Sequence, residues 1–308
     1  MTETWISYIW DTETPLPGEK LFDPSRYGSE EYFVLTLAAF IMFVIAKHLI
    51  FHTGYFWWYR QGQFYIPDMM WSLVSGKTLP QRVVSYVDDN LKGKDNPSID
   101  DILALIEEFC VKREFAPTLG SRKGKVLEDT VKRCSNPDTV LVFGCHVGYP
   151  LLTIIKSLSD TRAKIVVIEE DLNYSSAARS ILKMVGKDHM VTFVSNSSEE
   201  DDILKTIKTS YGHEKFDFVF LNRTKLNQPS HAGFVKSLEA AEMIHSSSSA
   251  GSGKQSYILA DKVITPGDAE FLKYVRLSEN YETEYFQMPL EYCDDEIYDG
   301  MELAISKV

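Results

Sequence analysis

Short apolar runs and amphipathic segments alternate along the second half of the chain. Five runs have the length and the β-branched or aromatic content typical of buried strands. These predicted strands are Thr139–Phe143, Ile165–Ile168, Val191–Val194, Phe216–Leu221 and Ser256–Ala260. The helices predicted around them are Pro150–Leu158, Tyr174–Val185, Ile203–Tyr211 and His231–Ile244. This alternation predicts a three-layer α/β/α sandwich built on a mostly parallel, doubly wound sheet.

Two further amphipathic patterns precede the predicted sheet, each starting beside a polar capping residue. The first passes through Val87 after Thr78, and the second passes through Phe109 after Ser98. The stretch Gly120–Gly124 combines glycine with basic residues, and we interpret it as a turn. The large domain is therefore predicted to span residues 78–308.

The longest apolar run, Tyr32–Phe51, has about the ~20 residues that a helix needs to cross a bilayer. Its one charged residue, Lys47, lies near the end of the run. We predict a transmembrane signal-anchor at 32–52 after a short non-cytoplasmic tail at 1–31, and a buried core helix is the less favoured alternative. Acidic residues precede the run and basic residues follow it, which predicts a single-pass protein of the endoplasmic reticulum or plasma membrane whose large domain faces the cytosol.

An aromatic and methionine-rich connector follows at residues 53–77. Its later part, Gln61–Lys77, fits two interpretations equally well. It lies along the membrane surface, or it packs on the large domain.

Net charge and cysteine content exclude some classes of function. The formal net charge is −12 and no basic run is present, so a nucleic-acid partner is not expected. The four cysteines are scattered and form no CxxC pair, which argues against a zinc site or a disulfide framework. Cys145 is interpreted as a small packed residue in preference to a reactive thiol.

Two strand-to-turn transitions indicate a nucleoside cofactor. Gly144 and Gly148 follow the first predicted strand, where glycine lets the backbone approach a ligand at a helix N-terminus. Glu169 ends the next strand and is placed to accept both hydroxyls of a ribose. The glycine spacing is looser than the dinucleotide fingerprint, so S-adenosylmethionine fits better than NAD.

The ordered set of motifs resembles the membrane-bound catechol O-methyltransferase family, whose members are class I S-adenosylmethionine-dependent enzymes. The resemblance extends from the apolar run to Val308. The matching segments are Gly120–Lys125, Phe143–Tyr149, Glu169, Ser198, Leu221–Lys225, Ala260–Gly267, Leu290–Tyr292 and Asp299–Gly300.

The resemblance implies a Rossmann-like methyltransferase fold and O-methylation of small catechol-like acceptors. The cofactor-binding residues that it implies are Leu119, Gly144, Gly148, Tyr149, Glu169, Ser198 and Arg223. It also implies that Lys225 is the catalytic base and that Glu291 holds the second acceptor hydroxyl. In the family, Mg²⁺ is held by two aspartates and an asparagine.

The chain departs from this pattern at the metal position. Asp261 is intact, but Asn222 replaces an aspartate and Lys262 replaces the asparagine. Hard cations want several oxygen ligands, so we predict that Asp261 and Asn222 form a weak or absent Mg²⁺ site. Lys262 is added to the catalytic candidates, because its positive charge stands about where the family holds the metal. A non-catalytic relative that binds a ligand or a protein partner is the alternative function.

Overall fold

The computed structural model describes residues 29–52, 68–94, 96–114, 116, 118–159, 162–194, 204–205, 207–209, 215–222, 230–245, 253–292 and 298–307. The chain divides into two compact units, Met1–Gln61 and Gly62–Val308.

The first unit contributes one described helix, α1 (Ser29–His52). Large apolar side chains along it are exposed, among them Phe33, Phe40 and Met42. Within the described part of the chain, no helix is both long enough and apolar enough to cross a membrane. The predicted transmembrane span is therefore not confirmed.

The second unit alternates helices and strands around one sheet. Its elements before and within the parallel part are α2 (Leu79–Leu91), α3 (Ile99–Lys112), α4 (Gly120–Arg133), β1 (Thr139–Phe143), α5 (Tyr149–Ser157), β2 (Lys164–Ile168), α6 (Leu172–Met184), β3 (Val191–Val194) and β4 (Phe218–Leu221). The remaining elements are α7 (His231–Ala240), β5 (Tyr257–Ala260), α8 (Ala269–Leu277), β6 (Tyr281–Pro289) and β7 (Tyr298–Ser306).

The described strands form one seven-stranded sheet in the order β3-β2-β1-β4-β5-β7-β6. Strands β1 to β5 are parallel, whereas β7 pairs antiparallel with both β5 and β6. Apolar side chains pack on both faces and form two core clusters, one containing Val140 and Val142 and the other Leu141 and Phe143. Successive residues of β1 thus point to opposite faces, as a strand covered by helices on both sides requires. The predicted doubly wound α/β sheet is confirmed.

Within the second unit, a buried arginine attaches the short helix 68–75 to α2 and to Glu114. Nη2 of Arg82 lies 2.6 Å from Oδ1 of Asp68, and its Nη1 donates to Oγ of Ser72 at 2.9 Å. The same guanidinium pairs with Glu114 at 2.6 Å. Asp68 and Ser72 are four residues apart, so they lie on one face of the helix. The apolar side chains Met69, Met70, Trp71, Leu73 and Val74 are exposed on the rest of that helix.

The capping prediction at Ser98 is confirmed. Oγ of Ser98 accepts from the backbone N–H of Asp101, and the Asp101 carboxylate accepts from the backbone N–H of Ser98 at 2.9 Å. The interpretation of Gly120–Gly124 as a turn is wrong, because α4 begins at Gly120. A Cβ on Gly124 would lie 3.3 Å from the ring of Tyr149, so this glycine serves close helix packing rather than a turn.

Candidate functional site

Four predicted site residues meet at one edge of the sheet because each follows the carboxyl end of a parallel strand. Gly144 follows β1, Glu169 follows β2, Asn222 follows β4 and Asp261 follows β5. In open α/β sheets, ligands bind in the crevice at this edge. The four residues therefore lie together at the carboxyl edge of the sheet, and their roles there stay predictions.

The glycine loop after β1 lies against the end of β4. Gly144 has a φ of 80°, and a Cβ at this position would lie 2.2 Å from the carbonyl oxygen of Asn222. Gly148 has a φ of 98° and caps the N-terminus of α5. Only glycine accommodates both the left-handed backbone and the close approach at Gly144. The loop thus brings backbone N–H groups and a helix N-terminus to the edge where a nucleoside cofactor would bind.

Glu169 braces this loop from the neighbouring strand. Its Oε2 accepts from the backbone N–H groups of Cys145 and His146, each at 3.0 Å. Its Oε1 accepts from the backbone N–H of Asp171 at 3.2 Å. Burial raises the pKa of the Glu169 carboxyl, although these three N–H donors oppose the shift. The carboxylate therefore positions the loop in addition to any contact with a ribose.

Two other residues implied to bind the cofactor have side chains in the core. Leu119 is fully buried and directly precedes α4. The Tyr149 side chain packs beside Gly124, and its hydroxyl donates to Glu107. Burial raises the pKa of the Tyr149 phenol well above its usual value. Because both side chains are buried, Leu119 and Tyr149 could contact a cofactor only through their backbone groups.

Lys123, on α4, is a functional candidate that the sequence reasoning missed. The side chain is fully buried, and its Nζ lies 2.7 Å from Asp261 Oδ1, 2.8 Å from Glu291 Oε1 and 2.5 Å from Asp299 Oδ2. Burial alone would lower the pKa of Lys123, but the three carboxylates raise it. One cation thus ties together three acidic side chains contributed by β5, β7 and the residues after β6.

Glu291 is held against the start of α4. A Cβ on Gly120 would lie 3.1 Å from Cγ of Glu291, which shows how closely the two residues approach. Burial raises the pKa of Glu291 to about 7, with Lys123 opposing the shift and Asp261 adding to it.

Lys262 lies on the other side of Asp261 and reaches toward the end of β4. Its Nζ donates to Oδ1 of Asn222 at 3.1 Å, and its backbone N–H donates to Asp261 Oδ1 at 2.8 Å. Its φ of 60° is unusual for a residue with a side chain. Burial lowers the pKa of the Lys262 ammonium despite the opposing carboxylate of Asp261.

These contacts do not fit a divalent metal. Both oxygens predicted as ligands are engaged by lysines, because Lys123 holds Asp261 and Lys262 holds Asn222. Among the described residues, no group of three His, Cys, Asp or Glu side chains is arranged to hold a metal ion. An ammonium cannot coordinate Mg²⁺, and its charge repels the ion.

His146 occupies the glycine loop beside these lysines. Its ring is 2% exposed and contacts the ring of Tyr174 edge-on, with centroids 5.5 Å apart. Burial lowers the pKa of His146 well below its usual value, and the charge of Lys262 lowers it further. Cys145, next in the loop, is fully buried, and burial raises the pKa of its thiol. This agrees with the interpretation of Cys145 as a packed residue.

Three further predicted site residues, Ser198, Arg223 and Lys225, lie outside the described residues. Their assignments as cofactor contacts and catalytic base stay predictions.

Comparisons with known proteins agree with this architecture. A family model described as O-methyltransferase matches residues 96–246. Catechol O-methyltransferase B of Danio rerio is 32% identical over 228 residues, which cover 74% of this chain and 79% of the relative. Catechol O-methyltransferase of Mus musculus is 27% identical over 88% of this chain and 92% of its own length. Transmembrane O-methyltransferase of Homo sapiens is 27% identical over 68% of this chain and 66% of its own.

Solved structures share the fold. An O-methyltransferase from Bacillus cereus in complex with SAH superposes with a TM-score of 0.51 at 19% identity, covering 73% of this chain and 97% of that one. The O-methyltransferase TomG from Streptomyces achromogenes in complex with SAM gives the same TM-score at 18% identity and covers 75% of this chain. The identity to the Danio rerio relative, over most of both chains, shows that the chain belongs to the catechol O-methyltransferase family.

Proposed function

We propose that this protein transfers a methyl group from S-adenosylmethionine to a hydroxyl of a small catechol-like acceptor, and that it does so without Mg²⁺. The observation that carries the proposal is a pair of lysines, buried Lys123 and half-buried Lys262, that contact the residues after β4 and β5. Nζ of Lys262 lies 3.1 Å from Asn222, and Nζ of Lys123 lies 2.7 Å from Asp261. Two positively charged side chains thus contact Asn222 and Asp261, the residues that correspond to metal ligands in the family.

The strand ends fit a nucleoside cofactor. Gly144 leaves room for close approach, and Glu169 offers a carboxylate at the end of β2. S-adenosylmethionine supplies an electrophilic methyl group on a positively charged sulfur. Relatives in SAH and SAM complexes support this choice of cofactor at the level of the shared fold.

The residues at the site divide the work of activating an acceptor. Lys225, as the base, removes the proton from the attacking hydroxyl, whose oxygen then attacks the methyl carbon while the carbon–sulfur bond breaks. Lys262 stabilises the negative charge that develops on that oxygen, an effect that is strong in a water-excluded pocket. Glu291 accepts a hydrogen bond from the second hydroxyl, and Lys123 holds Glu291 in place. Catalysis then rests largely on positioning.

A non-catalytic role in ligand binding is the second candidate function. It is favoured by the same lysines, because they replace the ion that activates the acceptor elsewhere in the family. In this role Lys262 balances the negative charge of Asp261 and donates a hydrogen bond to Asn222, without taking part in any reaction.

One assay separates the two candidates. The full chain is incubated with methyl-labelled S-adenosylmethionine, a panel of catechols and excess chelator. We expect turnover to persist, Lys262→Ala to lower kcat by about 10²–10³, and Lys92→Ala to leave it unchanged. Lys92 directly follows α2, and its exposed side chain pairs with Asp89 at 2.6 Å. Turnover that requires Mg²⁺ would overturn the metal-independent mechanism, and cofactor binding without turnover on any acceptor would establish the second candidate.

The proposal includes attachment to a membrane with the second unit in the cytosol. Helix α1 exposes apolar side chains such as Phe33, Phe40 and Met42, and a helix that is apolar all round is typical of burial in protein or lipid. A relative carries the name transmembrane O-methyltransferase. Fractionation of cells tests this: we expect the protein to stay in the membrane pellet after a high-salt wash, and its release into the supernatant would contradict the attachment. Glycosylation at Asn173 would contradict the cytosolic orientation.

A further inference from the structure

Asp299, the second residue of β7, is a buried acid that contacts two separate parts of the candidate site. Its Oδ2 accepts from Nζ of Lys123 at 2.5 Å. Its Oδ1 accepts from the backbone N–H of Thr265 at 2.9 Å and from that of Ile264 at 3.3 Å. One carboxylate oxygen is thus bonded to a side chain from α4, and the other is bonded to the backbone that follows β5. Asp299 therefore links two elements that are far apart in the sequence.

The bonds to the backbone lie in the turn Val263–Gly267, between β5 and α8. Ile264 and Thr265 are at the start of this turn, where no earlier helical turn supplies carbonyl acceptors for their N–H groups. Oγ1 of Thr265 also donates to the carbonyl oxygen of Tyr298 at 3.1 Å. Hydrogen bonds to a carboxylate are about twice as strong as those between neutral groups, so Asp299 holds the turn firmly against the start of β7.

The bond to Lys123 completes the set of acceptors around its ammonium group. Nζ of Lys123 also lies 2.7 Å from Oδ1 of Asp261 and 2.8 Å from Oε1 of Glu291. A lysine ammonium has three N–H donors, and three carboxylates surround this one. Without the Asp299 carboxylate, one donor loses its partner and Nζ is held by the two remaining acids alone. The position of Glu291, which the family resemblance implies for the second acceptor hydroxyl, therefore depends on Asp299 through Lys123.

Glu302, also on β7, is a buried acid whose ion pair lies elsewhere. It is 1% exposed, and its two oxygens accept from Nε and Nη2 of Arg276 at 2.7 Å each. Glu302 and Asp299 are three residues apart, so their side chains point to opposite faces of the sheet. Arg276 belongs to α8, whereas the partners of Asp299 belong to α4 and to the turn. The two acids thus match in strand, burial and pairing with a cation, and differ in the elements that they hold.

We propose that Asp299 is a positioning residue for an acceptor with two hydroxyls. Through Lys123 it orients Glu291, and through the turn it holds the backbone next to Lys262. The proposed methyl transfer assigns these two side chains to the second hydroxyl and to the attacking oxygen, so the inference rests on that proposed function. The hydroxyls of a catechol are a fixed distance apart on a rigid ring, and the groups that bind them must keep a matching separation. Asp299 maintains this separation without itself contacting the acceptor or the cofactor.

Binding measurements on the full chain saturated with SAH test the proposal, because SAH has no methyl group to transfer. The probes are catechol and phenol, which lacks the second hydroxyl, and calorimetric titration gives the affinity for each. Asp299→Asn keeps an oxygen for the turn but places an amide group, which cannot accept a hydrogen bond through its nitrogen, beside Lys123. We expect this variant to bind catechol at least about tenfold more weakly and phenol almost as before, so that the preference for catechol falls.

Glu302→Gln is the matched control, because it replaces a buried acid on the same strand. Thermal stability should fall in both variants, and both should bind SAH as the unmodified protein does. Only Asp299→Asn should lose preference for catechol over phenol, which a merely structural role would not change. An equal preference in Asp299→Asn and the unmodified protein would overturn the proposal, and so would an unmodified protein that shows no preference at all.

Hydrogen exchange of the unmodified protein gives a second test that does not depend on how well the variants fold. Coupling between two sites is reciprocal, so bound catechol should protect the amides of Ile264 and Thr265. With catechol at ten times its Kd, we expect exchange of these amides to slow by up to about tenfold. Unchanged exchange would contradict the coupling. A protein that passes both tests but transfers no methyl group would overturn the proposed reaction and leave the role of Asp299 in acceptor binding established.

Discussion

Nζ of Lys123 lies 2.7 Å from Oδ1 of Asp261, so the carboxylate at the end of β5 is already neutralised by a residue from α4. The backbone N–H of Lys262 donates to the same carboxylate oxygen, and the Lys262 ammonium donates to Asn222 at the end of β4. The acidic side chains around Lys123 therefore already have a cationic partner. They form part of a buried network of opposite charges whose members depend on one another.

Removal of the central cation should destabilise the fold strongly. Lys123→Met leaves three buried carboxylates without their shared partner, and breaking a buried charge network in this way costs about 3–5 kcal/mol. Urea denaturation followed by circular dichroism measures the loss. Lys125→Met, at an exposed position on the same helix, is the matched control and should change stability by less than about 1 kcal/mol. Equal losses in the two variants would show that the network contributes nothing special.

Restoring the family's residues at positions 222 and 262 should make methyl transfer depend on Mg²⁺. Asn222→Asp together with Lys262→Asn removes one ammonium and adds one carboxylate, which suits a hard cation. We expect methyl transfer by this double variant to increase on addition of Mg²⁺, in contrast to the unmodified protein. The comparison is made with and without chelator, and Ca²⁺ serves as the control ion. If Mg²⁺ has no effect on the double variant, Lys123 by itself is enough to prevent the ion from binding.

The sequence predicted the parallel sheet well because β1, β2, β4 and β5 are short apolar runs buried on both faces, and the edge strand β3 is a short β-branched and aromatic run. Strand β6 was missed for the opposite reason, whereas β7 was missed although it is buried almost throughout, because the charged residues Asp299 and Glu302 interrupt its apolar residues. Along β6 most side chains between Tyr281 and Met288 are exposed, so no apolar run marks it. Lys123 was missed because it lies in a stretch of glycines and basic residues. From the sequence alone, a buried lysine in such a stretch cannot be told from a solvent-exposed one. Only the folding of three distant acidic residues around it makes it buried.

Stability should depend on pH through Glu291. Its pKa is raised to about 7 in the folded protein, whereas in the unfolded chain glutamate titrates near its ordinary value of ~4.3. The folded state keeps a proton that the unfolded chain releases, so the contribution of this group is greatest below the unfolded pKa and is lost as pH rises toward 7.

Glu291→Gln should remove that decline, because an amide stays neutral throughout. The slope attributable to Glu291 is at most about 1.4 kcal/mol per pH unit. Urea denaturation of both proteins at several pH values measures it, and subtraction cancels the groups that they share. Parallel pH profiles for the two proteins would contradict the raised pKa.

Loss of the Glu169 carboxylate, which follows β2, should weaken the binding of S-adenosylmethionine. Glu169→Ala removes an ionised acceptor, and hydrogen bonds to charged groups contribute ~1.5–3 kcal/mol. Calorimetry with S-adenosylmethionine measures the change, and Glu170→Ala is the neighbouring control. A thermal melt of each variant separates lost affinity from lost structure, because Glu169 also braces the glycine loop. Unchanged affinity in Glu169→Ala would remove the ribose assignment.

The tight contact at Gly144 should be visible in a pair of alanine variants. Gly144→Ala forces a Cβ to within 2.2 Å of the Asn222 carbonyl oxygen, whereas Gly186, which also has a positive φ, has nothing within 4 Å of the added atom. Both variants carry the backbone penalty of ~1–2 kcal/mol, and Gly144→Ala carries a further overpacking penalty of ~1–3 kcal/mol. Thermal unfolding compares them. Equal losses would mean that the ends of β1 and β4 separate easily.

The attachment of helix 68–75 by Arg82 bears on where a shortened form of the protein ought to begin. A fragment starting at Leu79 sheds the exposed side chains of Met70 and Trp71, which favours solubility. It also deprives the Arg82 guanidinium of Asp68, Ser72 and the Lys77 carbonyl oxygen, and leaves it with Glu114. A fragment that begins just before Asp68 keeps the buried arginine satisfied. In that fragment, Trp71→Gln and Leu73→Gln would reduce the exposed apolar surface and so the tendency to aggregate, and would leave the Arg82–Asp68 ion pair intact.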